Sequence, residues 1–323
     1  MQSRVRLPVA AVAAAAFLSG AAAAQPYPSR GPVRIVVGFQ AGGGTDIAAR
    51  IIAQKLTDAL GVTFIVDNRP GAAGNIGADI VAKSSADGYT ILMANSTIAI
   101  PSLSARLPFD VKKDFAPVSN ITLGPSVLLV NPSLPVTDVK GLVALAKAKP
   151  RALIYGSGGV GNVTHLAMEL LMSMTGIEMT HVPYKGAAPS VVGLLGGEVQ
   201  LLFAGIPGVM AQISAGKVRA LGVSISQRSI ALPNVPTMVE AGVKGSSPTT
   251  WWAILAPKGT PEAVISRLNN ELAQIMKQPD VQERYSALGL STLRTPPQRV
   301  TEWIKEETPL MGKVLKAAGV EPE

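Results

Sequence analysis

From residue 32 onward, short β-branched runs alternate with stretches whose apolar residues recur every three or four positions. Val33-Arg34-Ile35-Val36-Val37-Gly38-Phe39 reads as a buried strand. It ends in Gln40-Ala41-Gly42-Gly43-Gly44-Thr45-Asp46. A helix is predicted over residues 45–60, because Ile47, Ile51, Ile52, Leu56, Ala59 and Leu60 share one face at 3.6-residue spacing. A strand over 63–67, a glycine-rich turn over 71–77, a helix to residue 84 and a strand over 90–94 follow. Residues 115–123 read as a further extended segment.

The alternation then restarts. Strands are predicted over 127–130, 152–155, 179–182, 200–203 and 218–223, with helices over 139–148, 163–174, 189–195 and 209–215. The strand at 152–155 runs into Gly156-Ser157-Gly158-Gly159-Val160-Gly161-Asn162. Beyond it come a strand over 250–256, a helix over 261–276 and an amphipathic helix over 297–318. Strands alternating with helices imply an α/β protein with a mostly parallel sheet in each half. The expected division is one lobe from residues 25–124 and 226–323, with a second from 125–225 inserted between them. The chain would cross near residues 123–126 and 224–228, and two crossings make a hinge.

Composition narrows the chemistry. Of 323 residues, 47% are hydrophobic and 15% charged, which fits a folded chain rather than a disordered one. The absence of cysteine removes disulfides, thiolate metal sites and cysteine nucleophiles. With two histidines, His165 and His181, a histidine-rich metal site is not expected. Arg4 and Arg6, an apolar run over 7–18 and Ala22-Ala23-Ala24 read as a signal peptide over residues 1–24. Its apolar core of about a dozen residues falls short of the roughly 20 a spanning helix needs. The mature protein is therefore expected in the periplasm. The +8 formal charge is scattered, without the basic–aromatic clusters of a nucleic-acid surface, and favours small anions.

Each predicted lobe carries a strand, a glycine-rich turn and a helix start. Ligands of parallel sheets bind beyond the carboxyl ends of the strands. Helix N-termini there offer unpaired N–H groups and partial positive charge. Thr45 or Asp46, and Asn162 or Thr164, serve equally as ordinary helix caps. Gly156 to Gly161 also matches G-x-G-x-x-G, the runner-up reading being an exported dinucleotide-dependent oxidoreductase. The acidic residue that reading requires is missing, since Tyr184 and Lys185 end the next strand. Around Ser157 there is no G-x-S-x-G, because Tyr155 takes the glycine position. His165 sits in the first turn of its helix, as a ligand contact or a packing residue, and His181 reads as structural. Asp46 caps its helix or receives a ligand ammonium. Trp251 and Trp252 fall on opposite strand faces, one for the core and one for the cleft or an edge.

Many ordered blocks resemble one family. They include Gly42-Gly43-Gly44-Thr45-Asp46, Asp67-Asn68-Arg69-Pro70-Gly71-Ala72-Ala73-Gly74-Asn75-Ile76-Gly77, and Asp87-Gly88-Tyr89-Thr90. They continue through Tyr155-Gly156-Ser157, His181-Val182-Pro183-Tyr184-Lys185-Gly186, Leu232-Pro233-Asn234-Val235-Pro236-Thr237 and Ala256-Pro257-Lys258-Gly259-Thr260-Pro261. The chain is similar to the extracytoplasmic solute receptors of tripartite tricarboxylate transporters, the Bug (Bordetella uptake gene product) family. The resemblance implies a type II periplasmic-binding-protein-like fold, two α/β lobes with a ligand cleft between them. It implies a small organic carboxylate held through backbone amides and water, without an arginine clamp, a cofactor or a metal.

By position, the resemblance assigns Phe39, Ala41, Gly42, Gly43, Thr45 and Asp46 of the first loop to the ligand. It adds Ser157, Gly158, Gly159, Asn162 and Thr164 of the second, with His165 beside them. Asn95, Ser96, Tyr184 and Ala204 would shape the far end. Many relatives carry aspartate where this chain has Ala204, which disfavours a ligand amino group. The implied partners are the large and small membrane subunits of a tripartite tricarboxylate transporter, served by a monomer. A periplasmic sensor feeding a signalling partner is the alternative role.

Overall fold

A computed structural model describes residues 27–100, 107–225, 227–243, 249–293 and 296–317. The signal peptide expected over 1–24 lies outside the described residues. The first stretch supplies β1 (Val33–Val37), α1 (Gly44–Leu60), β2 (Phe64–Asn68), α2 (Asn75–Ala82), β3 (Thr90–Asn95) and β4 (Phe115–Gly124). The second supplies β5 (Ser126–Val130), α3 (Val139–Ala148), β6 (Ile154–Ser157), α4 (Val163–Thr175) and β7 (Thr180–Pro183). It continues with α5 (Ala187–Gly196), β8 (Leu201–Gly205), α6 (Met210–Ser214) and β9 (Arg219–Val223). The last stretch holds β10 (Thr250–Pro257), α7 (Glu262–Ile275), α8 (Pro279–Ala287), β11 (Ser291–Thr292) and α9 (Gln298–Ala317).

Two sheets result, ordered β11-β4-β10-β3-β1-β2 and β7-β6-β8-β5-β9. Each is mixed rather than mostly parallel. The strands joined by crossover helices are parallel, β2 and β3 flanking β1 in one sheet, β7 and β8 flanking β6 in the other. The strands that carry the chain between sheets run antiparallel: β10 beside β3 and β4, and β5 beside β8 and β9. Pro125 alone separates β4 of the first sheet from β5 of the second.

The second crossing comes later than residues 224–228. Val223 bridges Thr237, and Leu232 packs with Val127, Leu129 and Val223 of the second sheet. Met238 and Val243 pack with Leu128, Phe203 and Leu221 of the same sheet. Apolar side chains spaced along 232–243 thus hold this segment against the second lobe. Helix α8 also escaped the sequence reading, because Val281 and Tyr285 are the two side chains it buries.

Strand periodicity sets the cores. Val33, Ile35 and Val37 face Ile52 and Leu56 of α1. Val36 faces the other side, with Leu92 and Trp251. Along β10, Trp252 and Ile254 join the first group, Trp251 and Leu255 the second, and all four are buried. Fully buried Leu56 or Ile52 each contributes about 2–5 kcal/mol against truncation to alanine. Helix α1 ends at Gly61, whose left-handed φ of 65° closes the last turn by donating its N–H to Thr57 O. Helix α9 continues from the first core to the second lobe: Met311 and Leu315 pack against Val163 and Leu166 at the start of α4, with Ile100 beside them.

Candidate functional site

Between the two sheets lies a cavity of about 40 Å³. Phe39, Gln40, Gly43, Gly44 and Thr45 of the β1–α1 loop form one wall, with Asn95, Thr250 and Trp252 behind them. Asn162, Val163 and Thr164 at the start of α4, with Ala187 and Gly205, form the other. The lobes touch across it. The Thr97 hydroxyl accepts long hydrogen bonds from Asn162 Nδ2 and the Val163 N–H, both 3.4 Å.

Among the described residues, none that carries a charge lines this cavity. What it offers is backbone. Helix α1 begins after Gly43, which is extended (φ −82°, ψ 167°) and, lacking a side chain, provides no side-chain cap. The Ile47 N–H is satisfied by Gly43 O at 3.0 Å. The N–H groups of Gly44, Thr45 and Asp46 have no partner among the described residues, and Gly44 and Thr45 are on the wall. A 17-residue helix concentrates partial positive charge at that end.

The second loop is built differently. The Gly158 N–H donates to Thr164 Oγ1 (2.9 Å), the Gly159 N–H to Ser157 Oγ (3.1 Å) and the Gly161 N–H to His165 Nδ1 (3.2 Å). The Asn162 N–H bonds Gly159 O, and the Thr164 N–H bonds the Asn162 side chain, which caps α4. This loop spends on itself most of the amides that the sequence reading reserved for a ligand. Its short polar side chains are what absorb them.

Of the residues singled out by sequence, Phe39, Gly43, Thr45, Asn95, Asn162 and Thr164 meet at the cavity. Ala41 and Gly42 sit on the exposed outer bend of their loop. Asp46 is turned away and braces the loop: its carboxylate accepts from Gly42 N (2.9 Å), Arg50 Nε (2.9 Å) and Asn68 Nδ2 (3.0 Å). Burial pushes its pKa up, but the bonds from Arg50, Gly42 and Asn68 hold it below the ordinary value. With that carboxylate engaged, Asp46 is not placed to receive a ligand ammonium.

Ser157, Gly158, Gly159 and His165 lie behind the second wall. Ser157 Oγ is 2.7 Å from His181 Nε2, and the His181 ring stacks on His165 at 4.1 Å. Glu169 Oε1 lies 3.4 Å from His165 Nε2 and accepts the Tyr155 hydroxyl. Ser157 is fully buried and does not line the cavity, so this pair holds the loop's shape. Ser96 is buried too, its hydroxyl without a partner among the described residues. Tyr184 donates its hydroxyl to Glu198 at 2.9 Å, and burial with Glu198 pushes its pKa up to about 12. The Ala204 methyl packs with Val127, Leu129 and Leu202 in the core, and Gly205 reaches the wall instead.

Gln40, Gly44, Val163, Ala187, Gly205, Thr250 and Trp252 complete the cavity. Trp252 was one of two open choices by strand alternation. Thr250 and Ala187 carried no signal, because a single threonine or alanine in a strand or helix start marks nothing.

The family model described as Tripartite tricarboxylate transporter family receptor matches residues 48–320. The chain belongs to that family. Among relatives of this receptor family, Protein BugT of Bordetella pertussis is 37% identical over 309 residues, covering 95% of this chain and 94% of its own. The structure titled "R. palustris Rpa4515 with adipate" superposes with a TM-score of 0.89 at 37% identity, over 92% of this chain and all of that one. Periplasmic binding protein BugD superposes at 0.87 with 33% identity, over 91% of this chain and all of that one. The protein is a solute-binding receptor with the two-lobed fold of periplasmic binding proteins. Among the described residues, no helix is long and apolar enough to cross a membrane.

Proposed function

We propose that this receptor captures a small organic carboxylate in the interlobe cavity, outside the cytoplasm, and delivers it to the large and small membrane subunits of a tripartite tricarboxylate transporter. The observation that carries this reading is the pair of N–H groups at Gly44 and Thr45, without a partner among the described residues, on the wall of a cavity that no described charged residue lines. Amides there bind an anion without displacing a resident carboxylate or arginine, and burial strengthens each bond. The adipate named with Rpa4515 agrees in chemical class.

About 40 Å³ accommodates roughly three water-sized groups, enough for one carboxylate head. A longer chain requires the lobes to part, which suits a receptor that closes around its cargo and releases it on opening. The ligand leaves unchanged in this reading, since the Ser157–His181 pair is walled off from the cavity. Residues 1–24 supply the export signal.

Calorimetric titration with straight-chain dicarboxylates from succinate to adipate tests the proposal. Gly44→Pro is the diagnostic variant: proline is tolerated at the first helical position, Gly43 is already extended, and one N–H is deleted. Binding should weaken roughly 10- to 100-fold, the worth of one hydrogen bond to a charged group. Unaltered affinity in a folded variant, or no binding by the wild type, overturns the reading.

A further inference from the structure

We infer that Trp252 and Asn95 are positioning residues that force the Thr45 hydroxyl to act as a donor into the cavity, so that this end of the site takes a head group made only of acceptors. The inference rests on the carboxylate reading above and specifies the chemistry at one end of it.

A threonine hydroxyl has two lone pairs and one hydrogen. Thr45 Oγ1 receives Asn95 Nδ2 at 3.0 Å and Trp252 Nε1 at 3.0 Å. An indole nitrogen can only donate. The orientation of the Asn95 amide is fixed as well, because its Oδ1 accepts the Thr97 N–H at 3.0 Å. Both lone pairs of Thr45 are therefore filled. Its hydrogen remains, with no acceptor among the described residues, on a side chain that lines the cavity. The Thr45 hydroxyl adds a donor to its own N–H and that of Gly44.

The arrangement is written into the sheet. Trp252 on β10 and Asn95 on β3 are directly opposed partners of an antiparallel pair, so both side chains leave the same face. That face is covered by α1, whose first turn brings Thr45 between them. A register shift of one residue would present Trp251, whose indole instead reaches Glu307 on the far side.

The charged and amide side-chain acceptors nearest the cavity are already occupied. Asp46 holds its three donors, and Asn162 Oδ1 accepts both the N–H and the hydroxyl of Thr164. Gln40 and Thr250, the remaining neutral polar side chains on the wall, can turn either way and set no preference of sign.

The test compares adipate with 2,5-diaminoadipate, which carries an ammonium beside each carboxylate, so either end must present one. Isothermal titration should show wild type preferring adipate by about 100-fold or more. Thr45→Val should weaken adipate roughly 10- to 100-fold, and Thr45→Ser, which keeps the hydroxyl, should restore most of that loss. Trp252→Phe keeps the ring and frees one lone pair, so the adipate preference should shrink at least fivefold. A merely structural defect lowers both affinities together and leaves their ratio unmoved. Asn95→Leu cuts the other donor and carries the same expectation should Trp252→Phe fail to fold. A wild type that binds both probes within about threefold, or a ratio unchanged in both donor variants, overturns this inference alone. Failure of wild type to bind either probe overturns the carboxylate reading and this inference with it.

Discussion

The Ser157 hydroxyl and His181 Nε2 stand 2.7 Å apart, and the His181 ring contacts both Tyr155 at 4.7 Å and His165 at 4.1 Å. That stack supports the second loop from behind: His165 takes the Gly161 N–H and Ser157 the Gly159 N–H.

Acid should loosen it. Burial first, then the adjacent His165, push His181 from 6.5 down to about 4, with Glu169 opposing. A depressed folded value means that the unfolded chain binds the proton more readily between those limits. The associated stability is complete above pH 6.5 and is lost as the pH falls toward 4. For this partly exposed ring it amounts to about 1–2 kcal/mol. Urea unfolding of wild type and His181→Gln between pH 7.5 and 4.5 should show the gap between them narrowing by that amount. A constant gap contradicts the prediction.

Glu307 should behave in the opposite sense. Burial pushes it up from 4.5 to about 7, against the lowering effect of the Trp251 N–H 3.0 Å away. A raised folded value gives stability that is whole below pH 4.5 and disappears as the pH rises through 7. Glu307→Gln keeps an acceptor for Trp251 and removes the charge. It should gain about 1 kcal/mol over wild type at pH 8 in thermal unfolding and nothing at pH 5.

The glycines of the two loops are not equivalent. A Cβ on Gly43 meets nothing nearer than Gln40 O at 3.7 Å and the Ala188 N at 3.9 Å across the cleft. Gly43→Val should therefore fold within about 1 kcal/mol of wild type yet lose adipate binding in calorimetry. On Gly158 the same atom comes within 3.0–3.2 Å of the Asn162 amide that caps α4. Gly158→Val should cost about 1–2 kcal/mol of stability as well as binding. Gly38→Ala, which drives a methyl to 2.6 Å from Gly74 O, marks the case where folding itself fails first.

Helix α9 ties the lobes together through Met311 and Leu315 on Val163 and Leu166. The double variant Met311→Ala, Leu315→Ala should lose about 2–4 kcal/mol in denaturant unfolding. Adipate should also dissociate roughly 10-fold faster in stopped-flow measurements, because the contact lies behind the closed wall of the cleft. Undiminished residence time would show that closure does not use this contact.

By itself the sequence determined most of the strands and helices, though not α8 or β11, and both glycine-rich loops, and its resemblance to a known family pointed to six residues that meet at the cavity. Periodicity reports how each local segment divides between core and water, and loops announce themselves through glycine. Tertiary structure alone decided which groups remain free to bind. Thr45 meets Asn95 and Trp252 from 50 and 207 residues away, a junction set by the β3–β10 register. The amides of the second loop are taken by Ser157, Thr164 and His165, whose hydrogen bonds follow from side-chain direction rather than from composition. Hydrogen-bonding capacity is spent in three dimensions, and a one-dimensional pattern names the donors without telling which of them are still unpaired.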